Sequence, residues 1–542
     1  MYLKKIGVCD INIEETISDV WDRILCEKGE RDMLKINQDK CKKCQICLKN
    51  CPIGAIKAEP GQDGKKVVTI TDMCVECNVC RRVCQFGAID GSEKTEGIVQ
   101  CHSCSIQCKV PVGSTGACKR YTNEGGRLVR NRALVVEGKP QVEIDPKIAH
   151  PIITAVGAGT NYPCIRPAPH IVCEKRDGVD VVTTVTEAPL SYSGVLVKLD
   201  TNTYIGEEGD TVYCEGKPVG LVHTEEYGSK MIYVGGANRL TAKDGGFATA
   251  RTIVALANGE QVELTVKTAE KKSIKIVCQQ GVAPTINGKQ ETTMRIGCGS
   301  ATIGLLADIM KECVDECIVI DHHVTGLFSE HLAGKEVGMT WSGVIPNATK
   351  STVGRYFGGH GDGIGGTVLQ TPRDAIKSVD MSIAHAGMTI LVTNTTGEVG
   401  ALFEVQEDGD VKEVPMSEKA QRVVDAIAKN CQRSNTSVMY CGGTGGSARG
   451  GVCHHPIAIT EAVHAGKAHL TIGGAPAYVY PGGGINFIVD TAQVVNHAFT
   501  WVPTPATVAP VEYTMTKEDY EAIGGHMNCI KNVEDFPEYQ KH

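Results

Sequence analysis

The chain has 542 residues, 42% of them apolar and 22% charged, which is an ordinary globular balance with material for several large cores. That excludes wholesale disorder, and a net charge of -8 argues against a nucleic-acid binder, which would carry a basic face. The unusual counts are Cys 25 and Gly 61, and twelve of the cysteines fall between Cys41 and Cys118.

The opening residues MYLKKIGVCDINIEE have no apolar run after the lysines, so no signal peptide is expected. Thiols at this density in an unexported chain mean metal ligation rather than a disulfide framework, and a cytoplasmic protein is expected. Residues 1–35 read as a helical extension: Ile17, Val20, Trp21, Ile24 and Leu25 recur at the spacing of one helix face, a docking stripe for the domain that follows. Residues 36–92 hold an internal repeat. Cys41, Cys44, Cys47 and Cys51 return as Cys74, Cys77, Cys80 and Cys84, 33 positions later, and CPIGAI is echoed by CQFGAI. Residues 93–148 form a second cysteine-rich segment.

Residues 149–285 are β-rich. The runs GVLVKL, TVYCEG, KMIYVGG, TIVALANG, VELTV and SIKIV, separated by Gly, Asn and Asp turns, predict an antiparallel sheet or barrel. Residues 286–542 read as a Gly-rich α/β catalytic domain with a C-terminal extension. MRIG, GCGSA, TIGLLADIMKECV and CIVI suggest one β-turn-α-β unit, and SVMY, CGGTGGSARGG, IAITEAVHAG and AHLTI another. The uncharged stretch 470–489 is broken by Pro476 and Pro481, so it reads as buried strand and loop rather than a membrane span. The tail from Trp501, with Pro503, Pro505 and Pro510, reads as an irregular surface extension. The expected fold class is multidomain α+β: a bacterial 2[4Fe-4S] ferredoxin-like domain, a small Cys-rich segment, a central β-rich domain and the α/β domain.

The strongest chemical signal is Cys41-x2-Cys44-x2-Cys47-x3-Cys51-Pro52, the bacterial ferredoxin spacing. Three close thiolates wrap one cubane while the fourth cysteine crosses to the other. Cys41, Cys44, Cys47 and Cys84 are therefore expected around one [4Fe-4S] cluster, and Cys74, Cys77, Cys80 and Cys51 around a second. Gln85 replaces the proline of the first copy, which loosens the turn and removes no ligand. A pair of zinc sites is the competing reading, but zinc favours C-x2-C hooks with a longer gap. Cys101, Cys104, Cys108 and Cys118 have a spacing that fits a third [4Fe-4S] cluster, a zinc site or no metal, with His102 as a spare ligand.

Three glycine-rich loops are candidate cradles for a flavin phosphate or a substrate carboxylate, since glycine admits close backbone approach and a helix start favours negative charge. They are Cys441–Gly451 with Gly442, Gly443, Gly445, Gly446 and Arg449; 297–300 with Gly299 and Ser300; and 354–366 with Gly359 and Gly361, which packs seven glycines into thirteen residues. None matches a GxGxxG or P-loop pattern, and tight turns are the plain alternative. His322, His323, His360 and His455 are candidate proton donors, because histidine titrates near neutral pH. The Asp321-His322-His323 triplet is also shared with metal-dependent phosphoesterases, and each histidine alone is as well explained by structure.

Clusters of this type pass one electron at low potential. The large remainder of the chain suggests that electrons are used there, and a two-electron reduction needs a cofactor such as flavin to pair them. Four segments in order, namely the double ferredoxin repeat, CHSCSIQCKVPVGSTGACKRYTNEGGRLVR, GGAPAYVYPGGGINFIVD and PTPATVAPVEYTMTKEDYEAIGGH, resemble the 6-hydroxynicotinate reductase family over about residues 36–527. The resemblance implies an oxidoreductase acting on CH–CH groups with reduced ferredoxin as donor and a small heteroaromatic carboxylate as substrate. It also implies a flavin (FAD or FMN) and anaerobic nicotinate breakdown. A homo-oligomer without nucleic-acid or membrane partners is expected. The other readings of the same residues are an electron-transfer subunit feeding a partner enzyme, or a metallocofactor-maturation protein with Cys441 and Cys453 as delivery ligands.

Overall fold

The computed structural model describes residues 34–61, 66–91, 97–101, 108–117, 121–130, 147, 167–190, 193–201, 203–224, 230–294, 298–321, 326–350, 355–356, 363–482, 484–495, 497–502 and 506–535. The chain divides into two compact units, Met1–Arg132 and Ala133–His542. The expected N-terminal helix, with Ile17 to Leu25, lies outside the described residues, as do His102, Cys104, Cys118, His322, His323, Gly359, His360 and Gly361.

In the smaller unit the repeat is visible in the backbone. Strand Lys35–Ile36 pairs with Ile89–Asp90, Ile56–Pro60 pairs with Lys66–Ile70, and each cysteine loop ends in a short helix, Ile46–Lys49 or Val79–Val83. Val68, Val75, Val79 and Val83 supply the buried centre. Two hairpins follow, Val99–Gln100 with Lys109–Val110 and Tyr121–Glu124 with Arg127–Arg130. Buried Asn123 ties them together: its Nδ2 donates to the Gly97 and Val110 carbonyls at 2.9 and 2.7 Å, and its Oδ1 accepts from Gly126 N at 2.8 Å. Such a fully bonded amide is what makes a buried polar side chain tolerable.

The larger unit is built on an 11-stranded, a 7-stranded and a 5-stranded sheet. The first has the β-rich runs of 194–290 at one side and ends with Thr436–Thr444, Ile485–Asp490 and Tyr478–Val479. The second sets Val179–Leu190 and His170–Arg176 beside Ala506–Thr516 and Ala468–Ile472. Residues 285 and 286 therefore mark no boundary between compact units: strands from both sides of that point share both sheets, and one apolar core joins them. Local patterning shows where strands begin and end, but not which distant strand they pair with.

Three further expectations are corrected. TIVALANG is the end of a helix, Lys243–Ala257, not a strand. Its β-branched residues suggest a strand only when the window starts at Thr252; the buried helical stripe begins upstream at Phe247 and Ala250 and continues through Ile253 and Ala257. Neither β-turn-α-β unit closes within one sheet. Strand Thr293–Met294 pairs with Gln432–Arg433 while Glu316–Ile320 lies in the 5-stranded sheet, and Thr436–Thr444 and Ala468–Ile472 belong to different sheets. The tail is not a surface extension: Ala506–Thr516 is a central strand with Ala509, Val511, Tyr513 and Met515 fully buried. Pro510 fits because its carbonyl accepts from Gly473 N at 2.8 Å and the pairing with Ala468–Ile472 stops one residue earlier, at Val511, so its missing N–H interrupts no rung.

In the 5-stranded sheet Glu316–Ile320 lies parallel to Thr389–Asn394. Cys317 and Val319 face helices Gly299–Cys313 and Glu418–Lys429, while Ile318 and Ile320 face the opposite core. That two-sided burial explains the unbroken apolar run CIVI. Among the described residues no helix is long and apolar enough to cross a membrane.

Candidate cluster sites and the glycine motifs

The structure brings the eight repeat cysteines together in two sets. Cys41, Cys44, Cys47 and Cys84 line one cavity with Ile46, Val68 and Phe86. Cys51, Cys74, Cys77 and Cys80 line another with Pro52, Ile56 and Val79. The wrapping loops are set by left-handed residues at matching places: Lys43 and Gln45 in the first copy (φ 55° and 61°), Glu76 and Asn78 in the second (φ 48° and 61°). None is glycine, so each costs about 1–2 kcal/mol and persists only because the loop is otherwise fixed.

The fourth cysteine of each copy is held by matching contacts as well. Ala55 N donates to Cys51 Sγ at 3.2 Å and Ala88 N to Cys84 Sγ at 3.4 Å, while Gly54 and Gly87, both left-handed, return their N–H groups to the Cys51 and Cys84 carbonyls. Amides aimed at sulfur stabilise thiolate, the form that binds iron. Burial opposes this. It pushes the Cys47 thiol up to about 11, with Cys41, Cys44 and Cys84 adding to the rise. It pushes Cys74 to about 11 and Cys77 to about 12, and raises Cys80, with the neighbouring cysteines again adding. Loading metal therefore has to expel protons from these cavities. Among the described residues no three His, Cys, Asp or Glu gather tightly enough for a single ion; the thiols surround voids instead, which suits cubanes better than zinc.

Of the third cysteine set, Cys101 and Cys108 are described, and both are buried. Cys101 N donates to the Cys108 carbonyl at 2.8 Å, closing the hairpin. This hairpin packs on the second cluster loop: Lys109 N donates to the Val75 carbonyl at 3.1 Å, Lys109 Nζ pairs with Glu76 at 3.6 Å, and Ser114 Oγ reaches Met73 Sδ at 3.2 Å.

The glycine motifs of the larger unit separate. Gly442 and Gly443 lie within strand Thr436–Thr444, not in a loop. Gly442 faces the core, where a Cβ would stand 3.1 Å from the Phe487 ring; Gly443 faces outward, beside Asn486. Gly445 caps, and Gly446 starts, a helix of only seven residues, Gly446–Val452. Arg449 is tied inward, with Nη1 donating to Thr460 Oγ1 at 2.7 Å. His455 is exposed at the start of helix Pro456–His464, its ring against Gly524. Gly299 and Ser300 open helix Gly299–Cys313, whose first amides already have partners in the protein: Gly299 N donates to Asp321 Oδ2 at 3.3 Å. Ser300 Oγ meets His331 Nε2 at 2.8 Å, but His331 Nδ1 accepts from Ala333 N, so the ring proton is on Nε2 and the histidine donates to the serine rather than activating it. The end of the third loop is at the same place, with Gly365 packed against Ile320 and Asp321.

The sequence reading missed the role of the terminal segment. Buried His526 donates from Nε2 to the Gly450 carbonyl at 3.0 Å, and Tyr520 donates to the Val452 carbonyl at 2.8 Å, so EYTM…GGH clasps the glycine-rich helix. Burial lowers the His526 pKa, and the neighbouring His454 ring lowers it further.

Residues 40–88 match the 4Fe-4S dicluster domain family. Over 504 residues the chain is 68% identical to the 6-hydroxynicotinate reductase of Eubacterium barkeri, an alignment that takes in 93% of this chain and all of that protein. No solved structure matches. Identity at this level over the whole length of the relative means that this chain, an iron–sulfur oxidoreductase, belongs to the 6-hydroxynicotinate reductase family.

Proposed function

We propose that the protein reduces 6-hydroxynicotinate to 6-oxo-1,4,5,6-tetrahydronicotinate with reduced ferredoxin as donor. The observation that carries this is the full-length 68% identity to the Eubacterium barkeri reductase. Cys41, Cys44, Cys47 and Cys84 would hold one [4Fe-4S] cluster and Cys51, Cys74, Cys77 and Cys80 the other; when bound, the clusters supply one-electron exchange at low potential. Cys101, Cys104, Cys108 and Cys118 would hold a third centre beside the second cavity, since Cys108 precedes the residue bonded to Val75. A flavin would pair the electrons in the larger unit.

The chain's own contribution at the donor end is charge and exposure. Cys44 is exposed, and Lys40, Lys42 and Lys49 of the same stretch are exposed too, with Asp39 its one acid. This suits an acidic protein donor such as ferredoxin. At the substrate end two protons must accompany the two electrons, and exposed His455, the one candidate donor of the sequence reading among the described residues, would give one.

The test is an oxygen-free assay with reduced ferredoxin and 6-hydroxynicotinate, following loss of the aromatic absorbance. Turnover, with about eight iron atoms per chain for two clusters or about twelve for three, is expected. Full iron loading without turnover would overturn the reductase reading in favour of an electron-transfer subunit.

A further inference from the structure

The glycine motif CGGTGGSARGG and the segment GGAPAYVYPGGGINFIVD, one of those that carry the family resemblance, pair as neighbouring antiparallel strands at one side of the 11-stranded sheet. Directly opposed residues share a face, so Gly194, Cys441, Ile488 and Tyr478 form a row across four adjacent strands. The alternate residues, among them Val234, Val195, Tyr440 and Phe487, are buried in the main core. The row is therefore the sheet's outer face.

Its composition is unusual for such a face. One of the four positions is a buried glycine, a residue that weakens a strand and marks close approach of another group. The Tyr233 ring folds over Gly194, where a Cβ would collide with the hydroxyl. At the other end Tyr478 is 60% exposed and Tyr480 is 41% exposed, their rings 6.0 Å apart and edge-on at 89°. Tyr480 is held in place from both sides: its N–H donates to the Asn486 carbonyl at 2.8 Å, and its own carbonyl lies 3.1 Å from His464 Nε2. Between these walls lie the half-buried Cys441 and Ile488. Both Tyr233 and Tyr480 are near enough to Cys441 for its charge to raise their pKa values, after burial.

The floor spans three strand spacings, roughly 14 Å, from the strand of Gly194 to that of Tyr478. This is long for a single six-membered ring. No residue of the row is charged, so a carboxylate would find no counter-ion on it. We propose that this face binds a flat, uncharged, fused heteroaromatic ring of the isoalloxazine type, with Tyr233, Tyr478 and Tyr480 as its aromatic walls and Cys441 in its floor. The inference rests on the flavin part of the proposed function and gives that cofactor a place.

The test uses full-length protein purified without oxygen. Bound flavin is released and quantified, and the Kd for added FMN and FAD is read from quenching of flavin fluorescence. Wild type is compared with Tyr478→Ala/Tyr480→Ala and with Cys441→Phe, iron content and melting temperature serving as controls of folding. At least a tenfold loss of flavin occupancy or affinity in both variants, at unchanged iron, is expected. Unchanged flavin binding overturns the proposal. So does a selective loss of 6-hydroxynicotinate binding by equilibrium dialysis, which makes the face a substrate site, and so does a variant that merely dissociates an oligomer in sedimentation, which makes it a subunit contact. A wild type that binds no flavin overturns the proposal whatever its turnover, whereas one that binds flavin but does not reduce 6-hydroxynicotinate overturns only the activity.

Discussion

In the cavity lined by Cys41, Cys44, Cys47 and Cys84, Cys44 is exposed and only Cys47 is buried; in the cavity of Cys51, Cys74, Cys77 and Cys80, three of the four are buried. The loops themselves hardly differ. Left-handed residues, short helices, glycine turns and amide-to-sulfur bonds recur 33 positions apart. What differs is a neighbour that is not repeated: the Val99–Val110 hairpin lies on Val75 and Glu76 and has no counterpart on the first loop among the described residues. The repeat thus fixes how each set of thiols is held, and an unrelated segment fixes how far that set is from water. Since exposure tunes cluster potential, clusters held by these two nearly identical loops would differ in potential.

The largest effect that probes this contrast comes from the ligands. Cys77→Ser should cost about four iron atoms per chain and at least about a hundredfold in ferredoxin-dependent turnover. Cys44→Ser should retain more iron, because water or an added thiol can reach the vacant corner. Equal iron loss in the two variants, by iron assay and electron paramagnetic resonance, would break the comparison. Next in size, reversing Lys40, Lys42 and Lys49 to Glu should slow electron delivery from ferredoxin about tenfold at low salt and little at high salt. Reduction by dithionite should be unaffected; a loss that ignores ionic strength would place the docking face elsewhere. A smaller effect is expected from Lys109→Ala, which removes the pair with Glu76 and should bring the oxygen sensitivities of the two clusters closer without changing total iron. The smallest concerns the larger unit. His526 has a lowered pKa, so its neutral form stabilises the fold above the unfolded value of about 6.5, and that stability is lost as pH falls below it. The melting temperature should therefore drop from pH 7 toward pH 5, and less steeply in His526→Asn.

Some of this was legible in the residues. The spacing of the eight cysteines was enough to sort them into the two sets that the structure gathers around its cavities, because ligand geometry is local and the crossover follows from a repeat too short to do otherwise. The strand-rich middle was legible for the same reason: alternation and turn residues are local signals. The glycine motif was not. Gly442 and Gly443 look equivalent in sequence, yet one opens room for the Tyr440 and Phe487 rings and the other faces outward. The contact of Ser300 with His331, 31 residues away, was not legible either, and only the Ala333 amide assigns the tautomer.

The sequence by itself determined the metal-binding chemistry and the family, since cysteine spacing and long identity need no knowledge of distant contacts. Only the tertiary structure decided that Pro510 lies in a buried central strand, that residues 168–290 and 436–532 share two sheets, and that Cys441 stands on one face with Tyr233 and Tyr478. Strand partners and outward faces are set by burying apolar surface between segments hundreds of residues apart, and no local pattern encodes that choice.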